Sequence, residues 1–288
     1  MPVGPPVELG PIQAADVAAV GRFLHAHLNP RLDARAWADA LVPPWSVKDR
    51  PNHGFLLRAG DEIVGAYLAF YSERLIEGRT ERFCNLAAWC VADEHRVHGL
   101  RLLRAALRQQ GYHFTDLSPS GNVVEVNTRL KFTTLDTTTD LVPNLPWPPS
   151  RTVRLLTRRA DIEATLTGRA LQIYRDHAGA AAARHLVVVR DGRPCHVIFR
   201  RDRRKNLPLF ASILHVGDRE VFRDADRHVF AHLLTQGAAL TLAERRVLGY
   251  RPAASVPLRR ARPKMFRSPT LRPDQIDYLY SELTCVPW

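Results

Sequence analysis

The run 89-WCVADEHRVHGLR-101 sets three basic side chains, Arg96, His98 and Arg101, on either side of Gly99, where an apolar stretch gives way to helical spacing. A helix start leaves backbone N–H groups unpaired and carries a partial positive charge. Glycine has no Cβ, so the backbone there can come close to a bulky anion. Arg96, Val97, His98, Gly99, Leu100 and Arg101 therefore read as a cradle for a diphosphate, with the basic side chains as added donors. Neither G-x-G-x-x-G nor G-x-x-x-x-G-K-[ST] occurs in the chain, which excludes two familiar nucleotide loops.

The elements that must position this turn are legible around it. Residues 80–91 form a long strand and 99–110 a helix, followed by a strand at 113–117, a helix at about 122–130 and a strand from about 133. Asn122 stands where it can cap the second helix or meet a ligand. Upstream, 7–28 is a short strand and a helix whose apolar face holds Val17, Val20, Phe23, Leu24 and Leu28. Residues 54–74 are a hairpin around Ala59-Gly60-Asp61. The stretch 142–150 holds four prolines and reads as a linker or a stiff crossing.

Beyond it the order repeats. Residues 185–201 give strand, Asp191-Gly192 turn and strand, and 209–218 is a second long strand. Residues 224–237 give a helix and 238–244 a further strand, so the spacing indicates an internal duplication. The cradle does not recur: 222-FRDADR-227 has no glycine, and Asp224 and Asp226 would repel a diphosphate. The boundaries expected are one domain over 1–142, a Pro-rich linker over 143–150, a second domain over 151–255 and a basic tail with a docking helix over 256–288. In that tail 273–283 reads as a helix with Ile276, Leu279, Tyr280 and Leu283 on one face.

The 288 residues are 45% hydrophobic and 24% charged, enough for about two domains. The net charge of +12 would suit a polyanion, yet only Lys48, Lys131, Lys205 and Lys264 are lysines among 41 basic residues. Abundant arginine and alanine fit a GC-rich coding bias, and no basic stripe interleaves with aromatics, so nucleic acid is not the expected partner. No apolar run nears the roughly 20 residues of a membrane span, and the first residues carry no secretory pattern. Cys84, Cys90, Cys195 and Cys285 lack C-x-x-C spacing and read as reduced thiols of a cytoplasmic protein, with no metal site.

The first half resembles the GNAT superfamily of acyl-CoA N-acyltransferases. The resemblance rests on the strand end at 86–91, on Arg96-x-x-Gly99 with the helix after it, on 122-NVVEVNTRLKF-132 and on the element order over 7–140. It implies an α/β (α+β) fold of two GNAT-like domains, each a mixed, mostly antiparallel twisted sheet flanked by helices, the second degenerate. It further implies acetyl-CoA or another acyl-CoA as co-substrate and a small-molecule amine as acceptor, in a monomer or homodimer. Trp89, Cys90, Val91, Arg96, Val97, His98, Gly99, Leu100, Arg101 and Asn122 would hold the CoA.

The catalytic positions depart from the family. Arg101 replaces a small residue, Lys131 a glycine, Asn127 a tyrosine acid and Asn85 a glutamate base. Amides have no useful pKa for either task. Asn85, Asn127 and Glu81, with His113 on a neighbouring strand, are the candidates left for handling the proton. The alternative reading is a non-catalytic GNAT-like protein that senses acyl-CoA or acts as a scaffold.

Overall fold

The computed structural model describes residues 5–204 and 206–288. Its first half opens with β1 (Val7–Pro11), α1 (Val17–His27) and α2 (Ala34–Leu41). β2 (Gly54–Ala59), β3 (Glu62–Ile76) and β4 (Arg79–Val91) follow as antiparallel neighbours. β3 turns into β4 through Glu77 and Gly78, both at positive φ, the backbone that a tight two-residue hairpin demands. α3 (Gly99–Leu107), β5 (His113–Asp116), α4 (Gly121–Arg129) and β6 (Thr133–Thr134) complete this half. Lys131, standing where the resemblance has glycine, adopts φ 65, the left-handed region that suits glycine best.

The second half repeats the plan. β7 (Thr139–Pro143), β8 (Val153–Leu156), α5 (Arg159–Thr165) and α6 (Gly168–His177) lead into β9 (Arg184–Arg190), β10 (Arg193–Arg204) and β11 (Leu207–Val216). The β9–β10 turn, Asp191-Gly192, has the same positive φ pair as Glu77-Gly78. Then come α7 (Arg219–Thr235), β12 (Leu240–Glu244), α8 (Arg245–Leu248), β13 (Val256–Pro257), β14 (Met265–Arg267) and α9 (Glu282–Cys285). In each half the long strand pairs in parallel with the strand after the helix over three residues: Phe83–Asn85 with His113–Thr115, and Phe210–Ser212 with Leu240–Leu242.

Two mixed, mostly antiparallel sheets result, and the halves exchange strands. One has the order β1-β2-β3-β4-β5-β14-β6, the other β13-β7-β12-β11-β10-β9-β8. A domain boundary at 142 is therefore corrected. β7 belongs to the second sheet, where Pro143 faces Leu240, and the tail lends β14 to the first, between β5 and β6. A five-residue strand whose partner lies a hundred residues away carries no local signal of its sheet.

The helix expected over 273–283 is also corrected. One 3₁₀ turn (Pro273–Gln275) is followed by irregular chain, with Tyr280 at φ 55, before α9 begins. The backbone here finds tertiary partners in place of i−4 carbonyls. Tyr280 N donates to His177 Nε2 at 3.0 Å and Glu282 N to Asn85 Oδ1 at 3.0 Å. Arg74 donates to Leu279 O at 2.7 Å, and Arg200 to Leu283 O at 3.0 Å. The apolar side chains Ile276, Leu279 and Leu283 are nevertheless buried, wedged between the two sheets rather than along a helix face.

Arg74 is 4% exposed and also pairs with Asp277 at 2.6 Å while lying over the Phe83 ring. Removing it strands the Leu279 carbonyl and an acidic partner. Arg74→Ala should cost about 3 kcal/mol in chemical denaturation, whereas the exposed pair partner Arg272→Ala should cost under about 1 kcal/mol.

Candidate active site

β4 and β5 stop pairing at Asn85 and Thr115, and beyond that point they part. The gap opens into a cleft of about 760 Å³ whose lining includes Ala87, Ala88 and Trp89 of β4 and Asp116 of β5. β4 carries a bulge here. Cys90 faces Ala66 and Ala87 faces Leu68, so Ala88 and Trp89 both stand against Tyr67. Ala88 has φ 53, an uncommon left-handed backbone for a residue with a Cβ. Such a bulge leaves ladder groups unpaired at the wall of the cleft.

The floor is acidic and buried. Asp116 is 3% exposed and accepts from Asn127 Nδ2 at 2.8 Å. Glu282, delivered by the tail, is fully buried beside it and accepts from Ser118 Oγ at 2.7 Å. Burial, then the charge of Glu282, pushes the Asp116 carboxyl up to about 7. Burial pushes Glu282 up to about 6. Three buried polar atoms around this floor lack a partner among the described residues: Tyr67 Oη, Asn127 Oδ1 and Glu282 Oε2. Unsatisfied buried groups are costly, and of these three Tyr67 lines the cleft while Asn127 and Glu282 lie behind Asp116.

Other walls come from far along the chain. Leu28 and Arg31 follow α1, Asp202 and Arg203 come from β10, and Arg262 and Trp288 come from the tail. Arg31 Nη2 bonds Asn206 Oδ1 at 2.9 Å, joining the two halves across the mouth.

The sequence-chosen proton handlers fall beside this floor or away from it. Asn127 holds Asp116, and Asn85 clamps Thr115 Oγ1 at 3.1 Å and the Glu282 amide, so both amides support the carboxylates. Glu81 and His113 do meet, at 2.9 Å, with Ser268 Oγ 2.8 Å from the other ring nitrogen. Glu81 sits seven residues before Ala88 on a strand that climbs about 3.3 Å per residue, and neither it nor His113 lines the cleft. Asp116, Tyr67 and Glu282 were missed. An acidic residue closing an otherwise apolar strand, 113-HFTDL-117, was the available signal for the first.

The diphosphate cradle takes a different form from the one expected. Residues Asp93–His98 wind as a 3₁₀ turn that runs straight into α3, and the Gly99 N–H is donated to Arg96 O. The Trp89 indole stacks on Tyr67 and lies beside Gly99. Arg101 reaches across to Val7 O at 2.8 Å. Arg96 pairs with Asp93, Val97 is 85% exposed, Leu100 is exposed and His98 half-buried. Cys90 is buried in the core, and Val91 packs beside Gly65 and Gly99. Asn122 is exposed inside the first turn of α4, whose N-cap is Ser120. Gly99 itself is buried and its N–H is paired, while Leu100 after it is exposed.

The matching place in the second half is narrowed to a hollow of about 60 Å³ lined by Ser212, Leu242 and Glu244. Beyond Ser212 and Leu242, Glu244 accepts from Tyr278 Oη and, at 2.6 Å, from Lys264 Nζ, both supplied by the tail. The front of α7 is capped by its own Asp218, which accepts from the amides of Glu220 and Val221.

No protein-family model and no curated protein matches this sequence. Solved structures do match in fold. A GCN5-related N-acetyltransferase from Anabaena variabilis ATCC 29413 superposes with a TM-score of 0.58 at 10% identity, over 91% of this chain and 72% of that one. Another, from Kribbella flavida, gives 0.54 at 16% identity, over 91% and 71%. Saccharomyces cerevisiae N-myristoyltransferase, solved with bound myristoyl-CoA, gives 0.53 at 10% identity, over 99% and 86%. The fold is thus the GNAT fold, in two copies.

An added Cβ on Gly99 would meet Val91 Cγ2 at 3.5 Å and Trp89 at 3.7 Å, ordinary contact distances, and Gly99 has helical φ. Gly99→Ala should therefore be tolerated and raise stability by up to about 0.5–1 kcal/mol through helix propensity. A melting temperature clearly below wild type would contradict this.

Proposed function

We propose that the protein is an acyl-CoA-dependent N-acyltransferase that moves an acyl group, acetyl in the simplest case, from CoA to the amine of a small molecule. The observation that carries this reading is the pair of parted strands with a bulged wall on one side and Asp116 at the floor. A cleft of that size takes a thioester arm and an acceptor together. The acyl donor is already activated, so orientation supplies much of the rate.

Asp116 is the residue to accept the amine proton. Its raised pKa leaves it basic enough to act near neutrality yet ionised in good part. Tyr67, held protonated by burial and with no partner for its hydroxyl, is the donor available to the departing thiolate. Backbone groups left unpaired at the Ala88 bulge are placed to polarise the thioester carbonyl. The diphosphate would be met by the side chains of Arg96 and His98 on the outer face of the turn, once the Arg96–Asp93 pair opens.

The closed turn before α3 favours the second reading, an acyl-CoA-sensing or scaffolding protein without turnover. The two separate by experiment. Acetyl-CoA and longer acyl-CoAs should raise the melting temperature, and thiol detection should register CoA release when primary amines are added. Binding without release from any amine establishes the second reading, and no binding at millimolar acyl-CoA ends both.

Asp116→Asn should cut CoA release by about 10²–10⁴-fold while leaving acyl-CoA binding intact. In the wild type kcat/KM should fall as pH drops below about 7, as Asp116 takes up its proton. Stability should move the other way. The folded pKa lies above the unfolded one, so the stabilising contribution is present at low pH and lost as pH rises through about 7. Asp116→Asn should thus melt a few degrees above wild type at pH 8, and the gap should narrow steadily below pH 7 and close only below about pH 4, where the unfolded carboxyl is also protonated.

A further inference from the structure

A second concavity lies on the far side of the second half, between α7 and the Pro-rich crossing, and shares no lining residue with the cleft above. Its volume is about 410 Å³, the size range of small-molecule sites. The apolar walls are Val142, Leu145, Trp147, Phe230 and Pro252. Leu145 is 59% exposed and Trp147 42%, so the crossing presents large apolar surface to a hollow instead of burying it.

The crossing is held in that position. Asn144, itself buried, donates to Ala238 O at 2.8 Å and accepts from Thr241 Oγ1 at 2.8 Å. Pro143, Pro146, Pro148 and Pro149 stiffen the chain on either side. A wall fixed this way has lost little freedom still to be lost on binding.

Two arginines one helical turn apart on α7 complete the hollow. The Arg227 guanidinium lies 4.5 Å from the centre of the Trp147 ring, and that of Arg223 lies 5.1 Å from Tyr250. Neither has a hydrogen-bond or salt-bridge acceptor among the described residues, whereas Arg190, Arg193, Arg245 and Arg251 of the same half each pair with a carboxylate. Asp226, also in the lining, feels the charge of Arg227 but makes no ion pair with either arginine among the described residues and accepts from Tyr250 Oη at 2.8 Å. The aromatic faces orient the two forks and leave their N–H groups unclaimed.

We propose that this hollow is a second ligand site, which takes an anion with a flat or extended apolar body: an aryl or acyl carboxylate, sulfonate or phosphate. The apolar body covers Leu145 and Trp147, and the anionic head engages Arg223 and Arg227. The site is independent of the acyl-transfer reading, because neither its residues nor its chemistry involve the β4–β5 cleft.

The probe is 8-anilinonaphthalene-1-sulfonate, followed by fluorescence and calorimetry on the full chain. One saturable site is expected. Arg223→Ala/Arg227→Ala should weaken it at least about tenfold, the loss of one charge-assisted contact. Trp147→Ala should weaken it as well, and Asp116→Asn should leave it unchanged. The neutral analogue N-phenyl-1-naphthylamine should bind at least about tenfold more weakly, because it offers the arginines nothing. The three side chains substituted in the hollow, Trp147, Arg223 and Arg227, lie at the surface, and unchanged melting temperatures would confirm that those variants are folded. 1-Naphthoate and 1-naphthyl phosphate as competitors separate a carboxylate preference from a phosphate one. The proposal is overturned if no saturable site exists, if the double variant binds like wild type, or if the neutral analogue binds as tightly as the sulfonate.

Discussion

Two buried guanidinium groups, Arg74 from the first sheet and Arg200 from the second, grip the backbone of the last stretch of chain. Burying an arginine is expensive unless its donors are met, and here carbonyls of Leu279 and Leu283 meet them. That grip explains why residues 276–281 follow an irregular path in place of a helix. It also carries Glu282 under Asp116 and sets Tyr278 against Glu244. The tail is thus the piece that couples two sheets of like design into one body, with apolar core running from Trp37 and Leu68 through Ile198 to Val286.

The carboxylate floor follows from the same coupling. Asp116 alone, at the end of a strand, would be an ordinary acid. With the tail in place it loses water and gains a like charge beside it, and both effects favour the protonated form. The fold pays for this in stability at neutral pH, and the Tyr67, Asn127 and Glu282 atoms left without partners add to that cost. The left-handed Ala88 sits above this floor, whereas the second sheet's bulge at Leu214 has no residue at positive φ.

The two halves show how one scaffold is put to different ends. In each, a long strand runs parallel to its neighbour for three residues and then leaves it. In the first half the gap stays open. In the second, Tyr278 and Lys264 narrow it at Glu244 to about 60 Å³, and the helix front is satisfied by Asp218. The second half instead keeps its hollow on the outer flank of α7, where the crossing holds Trp147 clear of the core.

The sequence by itself determined the central strands and helices of each half and their repetition, though not the path of 273–283 or the helices over 34–41 and 159–177. Period-two runs, the Asp191-Gly192 turn and the helix faces all depend on neighbours a few residues away, so they were legible, and with them the GNAT plan. Gly99 was visible too, but its meaning was not: whether a glycine opens a cradle or admits an indole depends on where Trp89 turns. Likewise Asn85 and Asn127 stood in the right places, and only the folded chain revealed that Asn127 donates to the Asp116 carboxylate and that Asn85 accepts from the Glu282 backbone N–H. The tertiary structure alone decided which strands share a sheet, as β7 and β14 show. It alone brought Glu282 to Asp116 across more than half the chain. Desolvation and coulombic coupling act through space, so a linear pattern of residue types cannot encode where they will be strong.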